Sequence, residues 1–260
     1  MIATDEGDDR RLRPGVQVLA RAAAILRLLA ADTPGGLTFG ELVARAGLPR
    51  TTVHRIRSAL EAEGFVCADE ATGRLHLGPG LLQLAVASRR DLPGVVSPYL
   101  ERLSRELNET VALSVLDGLD VLCVAQHQAP HRALMVVSRV GVRSPAFCTA
   151  NGKVLLAQLP PDELRRRLPK KLEAPVHRRL VSRDDLLREL DEVRRSGIGY
   201  DREEHHVGIC GAGVAISDID GSAASISVPM PAARFYADAD AVSATLLRVR
   251  DEIQIALQGA

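Results

Sequence analysis

Between Glu41 and Glu61 the chain carries no acidic residue, and Arg50, Thr51, Thr52, His54, Arg55 and Ser58 all stand in that window. Read at helical spacing, Val53, Ile56 and Leu60 share one face as i, i+3 and i+7, so the arginines and hydroxyls project from the other side and its flanks. A surface helix normally opposes its apolar stripe with alternating charges. Arginine can grip guanine bidentately in a major groove, while Thr, Ser and Arg reach phosphates or base edges. For a helix taken alone, a solvated basic face is the plain alternative.

Three later stretches also gather side chains able to do chemistry. In Phe147-Cys148-Thr149-Ala150-Asn151-Gly152-Lys153, Thr149 is a natural N-cap. The N–H groups of Ala150 to Gly152, at the positive end of a helix dipole, then form an anion site. A capped helix with a tight glycine contact is the structural alternative. The stretch Gly199-Tyr200-Asp201-Arg202-Glu203-Glu204-His205-His206-Val207-Gly208 packs three carboxylates and two imidazoles together. Such groups ligate metals, but adjacent residues rarely point at one ion and the stretch itself contains neither HExxH nor HxxxH spacing. Asp201 is better read as a hydrogen-bonding wall of a pocket. In Ser225-Ile226-Ser227 both hydroxyls fall on one strand face and Ile226 and Val228 on the other. Two inward hydroxyls can bind a carboxylate; an exposed sheet face is an equal reading. No GxSxG elbow surrounds them, Cys210 has no defined base, and His127 and His131 flank a loop without an assigned role.

The elements that must position these groups fall in two sets. Val16 to Leu29 reads as an amphipathic helix, broken by Pro34-Gly35-Gly36. Thr38 and Glu41 frame a capping box for a short helix, Phe39 to Ala46; Gly47 supplies the turn and Pro49 sits where a helix start tolerates proline. Helix, short helix, turn and basic helix make the helix-turn-helix order. Phe65-Val66-Cys67 and Arg74-Leu75-His76-Leu77 flank a turn at Asp69–Gly73 and read as a wing hairpin, from which Arg74 would reach a phosphate. This assigns residues 14–78 to a winged helix, after a polar arm at 1–13 that is expected to be disordered and before a linker helix at 79–91.

Residues 92–260 read as a second domain. It starts with a helix from Pro93 to Asn108, then strands Thr110–Leu116 and Val121–Gln126 around an Asp117-Gly118 turn, and a strand Leu134–Val140. Helices follow at Gly152–Gln158, Pro161–Leu168 and Arg183–Arg195. Strands Gly211–Ser217 and Ser222–Pro229 pair across Asp218–Gly221, and a helix near Ala239–Leu257 closes the chain. The pattern is α+β with an antiparallel sheet.

Composition excludes little but bounds the class. A chain of 260 residues fits one large or two ordinary domains. No run approaches the roughly 18 apolar residues of a membrane helix. The acidic start (Asp5, Glu6, Asp8, Asp9) lacks the order of a secretory signal. Cys67, Cys123, Cys148 and Cys210 are scattered, which suits reduced thiols in a cytoplasmic protein. A formal net charge of zero would count against a nucleic-acid binder only if the total mattered more than the local face. No cofactor is implied.

The residues also carry a family resemblance. Leu48-Pro49-Arg50-Thr51-Thr52-Val53-His54-Arg55, Leu60-Glu61-Ala62-Glu63-Gly64-Phe65-Val66 and Gly73-Arg74-Leu75-His76-Leu77-Gly78-Pro79 resemble the winged helix of IclR-type transcriptional regulators. Thr149-Ala150-Asn151-Gly152-Lys153 and the Gly199–Gly208 stretch are similar to two signature stretches of that family's second domain, so the likeness runs from Val16 to the C-terminus. It implies an N-terminal winged helix-turn-helix and a C-terminal GAF-like α/β effector domain with an antiparallel sheet. It further implies a DNA-binding repressor, not an enzyme, working as a homodimer or tetramer on a palindromic double-stranded operator, gated by a small organic or aromatic acid.

By the same resemblance, Arg50, Thr51, Thr52, His54 and Arg55 would read or position DNA and Arg74 would touch its backbone. The effector positions would fall on the backbone of Ala150 and Asn151, on Asp201, and on Ser225 and Ser227. One position departs: several relatives carry a cysteine shortly after the Glu-Glu-His stretch, where Gly211 stands here with Cys210 one residue early. Which of the two lines the pocket stays open. Two rival readings remain: an enzyme with an appended DNA-binding head using His205, Glu204 or Cys210, and a ligand-independent DNA-binding protein.

Overall fold

The computed structural model describes residues 14–31, 35–88, 92–176, 180–217 and 223–258. The arm expected at 1–13, the turn expected at Asp218–Gly221 and the last residues of the expected linker helix lie outside them. The chain divides into two compact units, residues 1–90 and 91–260.

In the first unit, α1 (Pro14–Ala31), α2 (Phe39–Ala46) and α3 (Arg50–Ala62) precede a hairpin of β1 (Val66–Ala68) and β2 (Leu75–Leu77), and α4 (Gly80–Ser88) follows. The capping box forms: the Thr38 hydroxyl accepts from Glu41 N at 3.3 Å, and Thr38 N donates to Glu41 Oε2 at 2.8 Å. Gly47 ends α2 at φ +62°, a left-handed conformation that a side chain would strain, so the chain turns there into α3. Val53, Ile56 and Leu60 are buried against Ile25, Leu29 and Leu42. Leu37 bridges Leu75, adding a third short strand segment beside the hairpin that the sequence did not announce.

In the second unit, α5 (Leu92–Leu107) leads into β3 (Val111–Asp117) and β4 (Asp120–His127), then β5 (Arg143–Pro145) and a 3-10 turn at Ala146–Cys148. Next come α6 (Ala150–Gln158), α7 (Pro161–Arg167), a small hairpin of β6 (Lys171–Glu173) and β7 (Leu180–Ser182), and α8 (Arg183–Ser196). Strands β8 (Ile198–Arg202), β9 (Ile209–Ser217) and β10 (Ala223–Pro231) and the helix α9 (Ala232–Gln258) complete it. Six strands form one antiparallel sheet in the order β5-β4-β3-β10-β9-β8. One face buries Leu113, Val214, Ile226 and Val228 against α5 and α9; beyond the other face α6, α7 and α8 build a separate core around Leu156, Leu164 and Leu190.

Three expectations are corrected. The strand placed at Leu134–Val140 is irregular, with Leu134, Val137 and Val140 exposed. The outer edge of β4 is taken by the chain that follows: Gly141 N donates to Cys123 O, Cys123 N to Val142 O, and β5 pairs from Arg143 onward. The closing helix begins at Ala232, seven residues before the expected start, because Phe235 already packs in the sheet core. Strands β5 to β8 were not foreseen; three of them have only three residues, too few to show a period of two.

Candidate functional sites

Helix α3 presents its polar side as the periodicity demands. Arg50, Thr51, His54 and Arg55 are exposed and Thr52 and Ser58 half-buried, opposite the buried Val53–Ile56–Leu60 stripe. The Arg50 guanidinium stacks 4.7 Å from the centroid of the Phe39 ring. Arg74 goes elsewhere than expected. Its Nε donates to Gly35 O at 2.8 Å, and its Nη2 donates to Gly36 O at 2.9 Å and to Glu41 Oε2 at 3.2 Å. These donors are committed inside the unit, so Arg74 fastens the hairpin to the start of α2 instead of extending to a phosphate. Hydrogen bonds from Thr38 hold the Glu41 carboxyl below its ordinary pKa, and Arg74 and Arg45 push it the same way.

The second unit holds a cavity of about 280 Å³ between the start of α6, the sheet and the irregular segment before β5. Its polar side is built by Thr149, Ala150 and Asn151 of α6, Ser114 of β3, Ser227 of β10 and Asp201 of β8. Val121, Val136, Val137, Val142 and Ile209 form its aliphatic side. Strand alternation explains the division: Asp201, Gly211 and Pro229 are neighbours across β8, β9 and β10, as Gly213 and Ser227 are across β9 and β10. A methyl group at Gly213 would lie 3.1 Å from both Ala150 C and Asn151 N. Bare glycine backbone is thus what lets the first turn of α6 lie against the sheet.

The expected N-cap does not form. Thr149 occupies the cap position, but its hydroxyl donates to Pro145 O at 3.0 Å and makes no cap bond. The α6 N-terminus is therefore left uncapped by Thr149 at the cavity wall, with Asn151 Nδ2 donating to Ser114 Oγ at 3.0 Å beside it. Ser227 is 6 % exposed and lines the cavity; among the described residues its hydroxyl has no hydrogen-bond partner. Ser225 parts from it. It shares the strand face but sits two residues along, roughly 7 Å away, where it is fully buried, donates to Ser114 O at 3.4 Å and lies outside the cavity wall. Gly211 stands in the row with Asp201, while the buried Cys210 belongs to the core on the opposite face, although it also borders the cavity.

Asp201 is 7 % exposed, and its Oδ1 accepts from Glu204 N at 2.8 Å and His205 N at 3.4 Å. Burial lifts its carboxyl to about 6. Burial also holds His205 down to about 4, so that imidazole is neutral near pH 7, and His206 reinforces the effect. Burial pushes the Cys148 thiol up to about 12 and raises Cys210, leaving both thiols poor nucleophiles. Among the described residues no group of three or more His, Cys, Asp or Glu side chains is placed to hold a metal ion. Sequence reasoning missed Lys153. It is fully buried, and its Nζ bonds Glu189 Oε1 at 2.6 Å, Tyr200 O at 2.9 Å and Glu204 Oε1 at 2.6 Å, tying α8 and β8 to the turn that Asp201 caps.

The pKa of Asp201 sets a pH dependence. Its folded value lies above the unfolded one, so the folded state binds the extra proton and this group's stabilisation is lost as pH rises from about 4 to about 6. His205 has the opposite sign, its contribution being lost as pH falls from 6.5 towards 4. In Asp201→Asn only the histidine term remains. Thermal melts of the variant should therefore gain on wild type between pH 4.5 and pH 7, by about 2 kcal/mol at 1.36 kcal/mol per unit, since part of the shift is already spent at pH 4.5. A gain that shrinks with rising pH would contradict the assignment.

Family comparisons cover both units. The model described as IclR helix-turn-helix domain matches residues 18–70, and that of the bacterial transcriptional regulator IclR C-terminal matches residues 84–254. The HTH-type transcriptional regulator Rv1719 of Mycobacterium tuberculosis is 43 % identical over 235 residues, 90 % of this chain and 89 % of its own. The regulator TtgV of Pseudomonas putida is 38 % identical, covering 94 % and 92 %. Among solved structures, an IclR homolog from Microbacterium hydrocarbonoxydans complexed with 4-hydroxybenzoate superposes with a TM-score of 0.78 at 23 % identity, over 94 % of this chain and all of that one.

Proposed function

The chain belongs to the IclR family of bacterial transcriptional regulators, and from that premise we propose that it is a repressor whose operator binding is gated by a small organic or aromatic acid. It is a regulator and not an enzyme, as its relatives are named. The N-terminal unit reads double-stranded DNA with α3, using Arg50, Thr51, Thr52, His54 and Arg55. The effector occupies the cavity of the second unit, and a homodimer or tetramer sets the spacing of half-sites.

The observation that carries the effector reading is the start of α6 facing an unpartnered, buried Ser227 across a cavity of about 280 Å³. There Asn151 Oδ1 takes the Gly152 N–H at 3.1 Å, but no side chain among the described residues caps Ala150 or Asn151. Helix N–H groups and a hydroxyl suit a carboxylate, and the aliphatic wall suits an apolar body. In this account Ala150, Asn151 and Ser227 hold the acid group and Asp201 accepts from a donor elsewhere on the ligand. Ser225 acts only through the packing of β3 against β10. A ring the size of 4-hydroxybenzoate fits the space, which makes that acid the first probe.

Calorimetric titration of the full chain with a panel of small carboxylic and aromatic acids tests this. Ser227→Ala should weaken a hit about fivefold to tenfold, as loss of one hydrogen bond near 1 kcal/mol requires. Ser225→Ala should leave it within about twofold. Equal losses in both variants, or binding unaffected by either, would remove Ser227 from the site. The absence of any hit, with operator binding intact, would favour a ligand-independent DNA-binding protein.

A further inference from the structure

We propose that Phe39 is a positioning residue for DNA recognition: its ring gathers Arg50, His54 and Arg57 of α3 into one ordered array. The inference rests on α3 being the helix that reads DNA. Phe39 is the first residue of α2, half-buried at its junction with α3. The Arg50 guanidinium carbon lies 4.7 Å from the ring centroid and that of Arg57 lies 5.5 Å from it. The His54 ring meets the same ring edge-on, with centroids 6.0 Å apart and planes at 87°. An aromatic face is the negative end of the ring's quadrupole and attracts guanidinium cations. Three groups from successive turns of α3 thus converge on one neutral side chain that carries no hydrogen-bonding atom.

A free arginine loses rotamer freedom when DNA immobilises it, and that loss is subtracted from affinity. An arginine already resting on a ring has lost part of it before DNA arrives. The ring is itself fixed. Thr38 and Glu41 cap the turn that Phe39 begins, and Arg74 clamps Glu41 from the hairpin at 3.2 Å. Arg74 therefore serves the interface at one remove, by holding the platform. A leucine at position 39 would preserve apolar volume but offer the cations no π-face.

The test uses the full chain. A binding site is selected from a random duplex pool with wild-type protein, and affinities for that site and for an unrelated duplex are measured by fluorescence anisotropy over a range of salt. Arg57 is held by Glu61 at 3.3 Å as well as by the ring, so the contact that matters is that of Arg50. One cation–π contact, worth a factor of roughly 2 to 5, predicts that Phe39→Leu loses about threefold to fivefold on the selected site and less on the unrelated duplex. The salt slope should stay unchanged, because no phosphate contact is removed. Phe39→Tyr, which keeps the ring face, should remain within twofold of wild type. If Phe39→Leu melts early, Phe39→Met replaces it with the same expected loss. The proposal is overturned if the ring-less variant binds within twofold of wild type or more tightly, or if Phe39→Tyr loses as much. Arg55→Ala run alongside separates the two ideas: a loss there without a loss at Phe39 spares the recognition helix and removes the platform, while no loss at either removes the helix.

Discussion

A chain carrying Arg55→Ala should bind its selected operator about tenfold to a hundredfold more weakly than wild type. Arg55 stands exposed in the first half of α3, one turn beyond Thr51 and Thr52, with Val53 and Ile56 buried beside it to fix the helix's rotation. A good bidentate contact between arginine and a base is worth about 1–3 kcal/mol, and 1.4 kcal/mol is a factor of ten. Substituting bases in the selected site should then show one position at which the variant no longer discriminates. Arg74→Ala makes the contrast. Its guanidinium bonds Gly35, Gly36 and Glu41, so its removal should lower the melting temperature of the N-terminal unit and weaken all sequences alike. Operator affinity within threefold of wild type for Arg55→Ala would show that α3 does not read DNA in the way described.

The second large effect is on folding. Lys153→Met should destabilise the C-terminal unit by about 3 kcal/mol, since breaking a buried ion pair from one side leaves its partners uncompensated. Lys153 is fully buried while the Glu204 side chain is a quarter exposed and that of Glu189 about two-fifths exposed, so water recovers part of the loss and the low end of the usual 3–5 kcal/mol range applies. For a unit of this size that corresponds to a fall of roughly 6–12 °C in melting temperature. The cavity should suffer too, because the same amine holds the turn capped by Asp201. The double variant Lys153→Met with Glu204→Gln should recover part of the loss, as one stranded carboxylate is neutralised. A single variant that melts with wild type would mean that this network contributes little to stability.

Sequence and structure agree where local chemistry decides the outcome. The helix-turn-helix was legible because Thr38, Glu41, Gly47 and Pro49 each mark a boundary, and because Val53, Ile56 and Leu60 fix which side of α3 is wet. The alternation Ser225-Ile226-Ser227 correctly gave the strand and its two faces. It could not give depth along that face, which is what makes Ser227 a wall of the cavity and Ser225 a sealed residue. The partners of Arg74 and the burial of Lys153 were not legible for another reason. The carboxylates that pair with these two residues lie 33 to 51 residues away in sequence, so nothing local announces that their charges are already spent. Leu134–Val140 had the β-prone composition of a strand, but pairing depends on a free edge, and β4 gives its edge to Val142 and β5.

Gated repression requires DNA binding and effector binding to be coupled through one chain. The measurement that tests it most directly is operator release: anisotropy of a labelled selected operator bound to the full chain, titrated with the acid that binds best, for wild type and Ser227→Ala. Wild type should release its DNA as the acid saturates, and Ser227→Ala should need about fivefold to tenfold more acid to reach the same release, with unchanged operator affinity in its absence. Release that occurs at the same acid concentration in both proteins, or saturation of the cavity with the operator still fully bound, would contradict it.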